Sequence, residues 1–253
     1  MLSNFTPSSI YYHAISPPQA KNLDITGKSV LITGGNVGIG KQTCLFMAEH
    51  GVQNVVICSR NEKTTNEVIK EMIEIAKKRG TSEFNYEFFK LDLGSQTEAK
   101  GVALKLANKG YKFDVMILNA GLLTGKIMKS PEGLEMMMAV NHFGHYSFVC
   151  TYLNSIDKKF WPERISVLAS TGHLMAKEKM GADQYTYHGV IKSKTDSNTQ
   201  YGQSKLANIF FTRALAEKLK NRVQVNCIHP GVVYSDLWRE KPALDFFGKM
   251  FYS

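Results

Sequence analysis

Short β-branched runs alternate with longer stretches of helical periodicity along this chain. Ser29 to Thr33 (SVLIT) is apolar through its centre and runs into a glycine-rich turn, which predicts a buried strand. Further strands are predicted at Val55 to Cys58 (VVIC), Phe84 to Leu91, Phe113 to Leu118, Ile165 to Ser170 and Val223 to His229. Between them, helices are predicted over Gly38 to about His50, Asn61 to Lys78, Glu132 to about Ile156 and Tyr201 to Lys220. In the second of these, Val68, Met72 and Ile75 fall at helical spacing within a charged segment. Thr171 to Gln200 is polar and aperiodic, which predicts a loop-rich excursion. Strands separated by helices argue for a parallel sheet covered on both faces.

The turn after the first strand reads Thr33-Gly34-Gly35-Asn36-Val37-Gly38-Ile39-Gly40. Glycines let a backbone bend tightly and approach a ligand closely, and a helix N-terminus offers unpaired N–H groups and a partial positive charge. A turn in this place suits the pyrophosphate of a dinucleotide, with Gly34, Gly38 and Gly40 carrying the signal. A preference for NAD would show as an acidic residue at the end of the second strand, about 20 residues further on. Here that strand ends Ser59-Arg60-Asn61. Arg60 suits a 2′-phosphate, so NADP(H) is expected, with NADPH preferred over NADH.

Two stretches have a tyrosine four residues before a lysine: Tyr86 to Lys90 and Tyr201 to Lys205. In a strand, the first pair would stand about 13 Å apart and could not act together. In a helix, the second pair would be neighbours at roughly 5–6 Å. A phenol has a reference pKa of about 10, too high for efficient proton transfer near neutral pH. An ammonium one helical turn away favours phenolate, so Tyr201 is the candidate acid or base and Tyr86 an ordinary strand residue.

A hydrophobic share of 43% and a charged share of 21% are ordinary for a globular chain with a sizeable core. The formal net charge of +9 admits a nucleic acid, an anionic membrane or an anionic cofactor as partner. The basic residues are scattered among acidic ones with no dense run, so a phosphate-rich cofactor is the simpler expectation and a nucleic acid is not expected. Cys44, Cys58, Cys150 and Cys227 each sit in an apolar stretch, without C-x-x-C or zinc spacing, and read as reduced thiols rather than metal ligands. No apolar run before residue 28 is long enough for a signal peptide or a spanning helix, and a cytoplasmic or membrane-associated protein is expected.

Together these residues resemble the short-chain dehydrogenase/reductase family, and within it the retinol-dehydrogenase-like group, from about Lys28 to Leu237. The glycine turn matches the family's cofactor turn, to which Asn36 and Ile39 belong. Asp92 and Leu93 match the motif whose carboxylate lies by the adenine. Asn119-Ala120-Gly121 matches the motif ending the fourth strand. Asn141, in the stretch Val140 to His145 (VNHFGH), matches a helix asparagine that supports a proton-relay water. The resemblance makes Ser170 the residue that hydrogen-bonds the substrate oxygen, Tyr201 the proton donor or acceptor, and Lys205 the residue that binds the nicotinamide ribose and lowers the tyrosine pKa. Pro230, Gly231, Val232 and Ser235 match the loop that cups the nicotinamide.

The resemblance implies a Rossmann-type, doubly wound α/β fold in three layers, with residues 1–27 as a leader or extension and 28–253 as one dehydrogenase/reductase domain. It implies an NADP-dependent enzyme acting on CH–OH groups of a hydrophobic substrate: a retinoid, a steroid or a lipid-derived carbonyl. A non-catalytic nucleotide-binding relative or a sterol-type ketone reductase stays open, as do peripheral membrane contact and homo-oligomerisation. Three departures stand out. Leu118 replaces the first of two asparagines, which predicts a looser turn. Gly172 to Gln200 is longer than the family's loop and predicts an insertion beside the site. Family members continue past the position of Ser253, so the C-terminal strand and lid are expected to be missing, with Phe246 to Tyr252 as the start of an apolar lid. An open sixth-strand edge would then favour self-association.

Overall fold

The computed structural model describes residues 23–81, 83–177 and 181–231. The expectations placed on the leader before residue 23, on Val232 and Ser235, and on Phe246 to Tyr252 lie outside them. Strands β1 (Ser29–Thr33), β2 (Asn54–Ser59), β3 (Asn85–Lys90), β4 (Val115–Leu118), β5 (Arg164–Leu168) and β6 (Gln224–Ile228) form one sheet in the order β3-β2-β1-β4-β5-β6. Every pairing is parallel. The chain builds outward from β1 in one direction, then returns and builds outward in the other, which leaves a crevice above β1 and β4 where the direction reverses.

Side-chain alternation along the strands divides the core in two. Val30 and Ile32 of β1, with Val55 and Ile57 of β2, pack against Cys44, Met47 and Ala48 of α1 (Gly38–Glu49) and Val68 and Met72 of α2 (Glu62–Lys78). On the other face, Leu31 and Val56 belong to a larger cluster. It takes Ala99, Ala103 and Leu106 from α3 (Gln96–Asn108) and Phe148, Val149 and Tyr152 from α4 (Gly144–Ser155). A long helix, α6 (Ser197–Leu219), adds Phe211, Leu215 and Leu219. This is the doubly wound three-layer fold that the sequence implies. No helix among the described residues is long and apolar enough to cross a membrane.

The elements depart from the sequence pattern in four places. Helix α3 has no counterpart among the elements that periodicity predicts, because its buried face is built largely of alanine and contrasts weakly with its polar face. Its start is nevertheless written in the chain: Ser95 accepts from Glu98 N at 3.2 Å, and Glu98 Oε1 reaches back to accept from Asp92 N at 2.8 Å. The helix expected from Glu132 begins at Met136, capped by Glu135 Oε2 on Met138 N at 3.0 Å, and contains a π turn at Ala139–Phe143 before α4. Helix α6 begins at Ser197, capped by Asp196, whose Oδ1 accepts from Asn198 N at 2.9 Å and Thr199 N at 3.1 Å. Its first turns bury Gln200, Gln203 and Ser204, so hydrophobic periodicity fails there.

The stretch expected to be irregular holds 3-10 turns at Thr171–Met175 and Ala182–Gln184 and a short helix α5 (Tyr187–Lys192). It is pinned to the chain before the π turn by Glu135 N on Tyr185 O and Tyr187 N on Gly133 O, both 3.0 Å. Leu118, expected to loosen its turn, is 1% exposed and packed in the core beside Val167 of β5.

Phe148 is fully buried in the larger cluster, so Phe148→Ala should lower the unfolding free energy by about 3–5 kcal/mol. Ser95→Ala removes only a helix cap and should cost about 1 kcal/mol. Urea denaturation of the two variants beside the parent chain checks both, and equal costs would refute the distinction.

Candidate active site

The carboxyl ends of β1 and β4 carry the first half of the site. Gly34 sits at φ +66°, and a Cβ there would stand 3.0 Å from Ala120 Cα. A Cβ on Gly40 would collide with the Gly34 carbonyl and the Asn119 amide, so the turn closes only with glycine at both positions. Asn119 Nδ2 donates to the carbonyls of Thr33 and Gly34 at 3.0 and 3.1 Å, tying the end of β4 to the turn. Helix α1 begins at Gly38 with no side chain capping its first amides. That leaves the first N–H groups of the helix without a side-chain partner, which is what an anion requires. Ile39 is half-buried in the first turn of α1, and Pro230 and Gly38 line the same open groove along that helix. Gly231 follows at φ +85°.

Other residues expected to hold a cofactor lie around this turn. Asn36 Nδ2 donates to Thr64 Oγ1 at 3.0 Å, anchoring the turn to α2. Arg60 is exposed just beyond β2 and makes no ion pair among the described residues. Asp92 accepts from Gly94 N at 2.8 Å and shapes the bend before α3, while Leu93 is buried in the core. Gly121 stands at the rim, and a Cβ on it would lie 3.2 Å from Asn141 Oδ1 and 3.4 Å from Lys205 Nζ. That places the end of β4 directly over the second half of the site.

There Tyr201 and Lys205 occupy successive turns of α6, 6% and 4% exposed. Lys205 Nζ lies 5.7 Å from the centroid of the Tyr201 ring and donates to Leu168 O, at the end of β5, at 3.2 Å. Burial pushes the Lys205 ammonium down to about 8, against a smaller upward pull from the Cys227 thiol. Burial likewise raises the Tyr201 phenol above its ordinary value, and a hydrogen bond with the Ser170 hydroxyl draws it back. Ser170 is itself aimed by accepting from Gly172 N at 3.0 Å. The expectation that lysine lowers the phenol pKa is not what this arrangement shows: desolvation dominates, and the opposing pull comes from the Ser170 hydroxyl.

Asn141, in the π turn, is fully buried. Its Oδ1 accepts from Leu122 N at 2.8 Å, and its Nδ2 donates to Leu122 O at 3.0 Å and Ser204 Oγ at 2.9 Å. It thus clamps the chain leaving β4 to α6, one residue before Lys205. Leu123, Met137 and Tyr201 form a small apolar cluster beside this clamp. The sequence offered no sign of the Ser204 hydroxyl or the Leu168 carbonyl as partners; a backbone carbonyl carries no side-chain signature. Tyr86 stands on the edge strand β3, with its hydroxyl on Val52 O at 3.3 Å, outside the site.

Two histidines beside this site set an acid limit on the fold. Burial holds His142 and His145 down to about 4, below their ordinary 6.5. Between those values the unfolded chain binds more protons than the folded one, so stability falls as pH drops through that window. The urea midpoint should be level from pH 7.5 to 6.5 and decline by pH 5, before most carboxylates titrate. A flat midpoint down to pH 5 would refute burial of neutral imidazoles.

The chain matches the family described as short chain dehydrogenase over residues 28–180 and 189–244. It is 31% identical over 235 residues to retinol dehydrogenase 12 of Mus musculus, covering 91% of this chain and 69% of that protein. It is 32% identical over 217 residues to retinol dehydrogenase 13 of Homo sapiens, covering 85% of this chain and 62% of that one. A short-chain dehydrogenase from Sphingobium yanoikuyae, solved in complex with NADPH, superposes with a TM-score of 0.65 at 17% identity, over 84% of this chain and 74% of that one. At that identity the likeness speaks for the fold. The sequence match is different in kind, since it runs through both the glycine turn and the Tyr201–Lys205 helix: the chain belongs to the short chain dehydrogenase family, in its retinol-dehydrogenase-like group.

Proposed function

We propose that this protein is an NADP(H)-dependent oxidoreductase that moves a hydride between nicotinamide and the carbonyl or alcohol carbon of a hydrophobic substrate. The observation that carries this reading is the buried Tyr201 phenol, hydrogen-bonded to Ser170, with the Lys205 ammonium one turn away. The dinucleotide fits the residues present. The space beside Gly34 and Gly40 admits no side chain, and the first amides of α1 have no side-chain cap. Gly34, Gly38, Ile39 and Gly40 would hold the pyrophosphate, Arg60 the 2′-phosphate, Asp92 and Leu93 the adenine end. Asn119, Ala120, Gly121, Lys205, Pro230 and Gly231 would hold the nicotinamide ribose end. When bound, nicotinamide supplies or accepts the hydride.

The chain's own part is the proton. In reduction, Ser170 donates a hydrogen bond to the substrate oxygen, and Tyr201 passes its phenolic proton to that oxygen as the carbonyl becomes an alkoxide. In oxidation, Tyr201 takes the proton back. Lys205 stabilises the phenolate between these events, and in so dry a setting a nearby charge acts more strongly than it would in water. Leu122, Leu123, Ile127 and Met137 pack around Tyr201, and Leu174 is exposed just beyond Gly172. That apolar surround favours a hydrophobic substrate: a retinoid, a steroid or a lipid-derived carbonyl.

Tyr201→Phe should lower kcat for NADPH-dependent reduction of a hydrophobic aldehyde by about 10²–10⁴-fold and leave NADPH affinity near that of the parent. Lys205→Ala should damage both. Unchanged turnover in Tyr201→Phe, measured as NADPH oxidation, would defeat the reading. Arg60 is expected to give tighter binding of NADPH than NADH, and Arg60→Asp should erase or reverse the difference. Fluorescence titration of both cofactors tests this, and equal affinities in the parent chain would rule out the preference.

A further inference from the structure

We infer that His145 is a positioning residue, coupling the turn that would hold the dinucleotide to the turn that bears Asn141 through one continuous hydrogen-bonded chain. The inference rests on the proposed function for its consequence, but its geometry stands apart from turnover. His145 opens α4 directly after the π turn and is 1% exposed. Its Nδ1 lies 3.2 Å from Asn141 O, and its Nε2 lies 2.8 Å from Thr33 Oγ1. A carbonyl oxygen only accepts, so Nδ1 carries the proton and Nε2 accepts from the Thr33 hydroxyl. Thr33 Oγ1 in turn accepts from Ala120 N at 3.0 Å. The chain therefore runs in one direction, from the Asn141 carbonyl through the imidazole and the Thr33 hydroxyl to the Ala120 amide.

Each end of this chain touches a different half of the site. Thr33 is the last residue of β1, and its carbonyl also receives Asn119. Ala120 precedes Gly121, which stands over Lys205. Asn141 holds Leu122 and, through Ser204, the helix of Tyr201. His145 thus joins the end of β1, the chain leaving β4 and the π turn. A neutral imidazole also suits a place within electrostatic reach of the Lys205 ammonium, where a second cation would be repelled. Removing the imidazole frees the cofactor side from the proton-transfer side, so NADPH affinity and kcat should decline together.

The test uses the full chain. Nitrogen NMR of histidine-labelled protein at pH 7, assigned by the signal that disappears in His145→Gln, should show the His145 imidazole neutral and protonated at Nδ1. A proton on Nε2 would overturn the assignment. His145→Gln and Thr33→Val should each weaken NADPH binding and lower kcat by about three- to tenfold, and together do little more than the worse of the two. Thr33→Ser keeps the hydroxyl and should stay close to the parent. Independent, multiplying effects would overturn the coupling, as would loss of thermal stability with NADPH affinity and kcat intact. If His145→Gln does not fold, the Thr33 pair and the tautomer in the parent still decide. A chain that binds NADPH and shows the tautomer but turns over no carbonyl would defeat the proposed reaction while leaving this coupling in place.

Discussion

Two parallel strands, β1 and β4, must part at their carboxyl ends so that the chain can wind in both directions, and they must not part far. Much of the site follows from how that separation is held. Asn119 stitches the gap by donating to two successive carbonyls of the opposite strand, and Ala120 adds a third bond to Thr33. The close approach leaves no room for a side chain at Gly34 or Gly40, which is why the crevice floor is bare backbone. Bare backbone at a helix N-terminus is what a phosphate needs, so the requirement for winding and the requirement for binding are met by the same few residues.

The second requirement is a charge out of water. Lys205 is buried and donates to a carbonyl oxygen, Leu168 O, and among the described residues it has no carboxylate partner. Desolvation of an ammonium without a paired carboxylate is costly, and its pKa falls in response. A fold under selection for stability alone would place an apolar residue there. The phenol beside it is also desolvated, and the Ser170 hydroxyl restrains its rise. Two titratable groups kept dry and adjacent are what the proposed proton transfer requires, and the helix that carries them begins early enough to place both inside it rather than at its end.

The segment between β5 and α6 is part of the same construction. Its backbone bonds to Gly133 and Glu135 tie it to the chain entering the π turn, so the segment beside Ser170 and the turn bearing Asn141 are braced against each other. The π turn widens the helix where Asn141 must reach both Leu122 and Ser204, and its place at a functional centre agrees with the general habit of such turns.

Much of this could be read from the chain alone. Six strands, the parallel sheet, the glycine turn and the choice of Tyr201 over Tyr86 followed from periodicity and spacing, because a buried strand must be apolar and a coupled pair must share a helix face. Helix α3 lies outside what periodicity reveals, because an alanine face makes a faint pattern. What the sequence could not determine is which groups meet across the sheet. Asn119 reaching Thr33, Lys205 reaching Leu168 O, and His145 joining Thr33 to Asn141 all depend on distances between residues far apart in the chain. The pKa values were decided there too. Sequence names an ionisable group and its neighbours along a helix, but its acidity follows from how much water the rest of the fold removes.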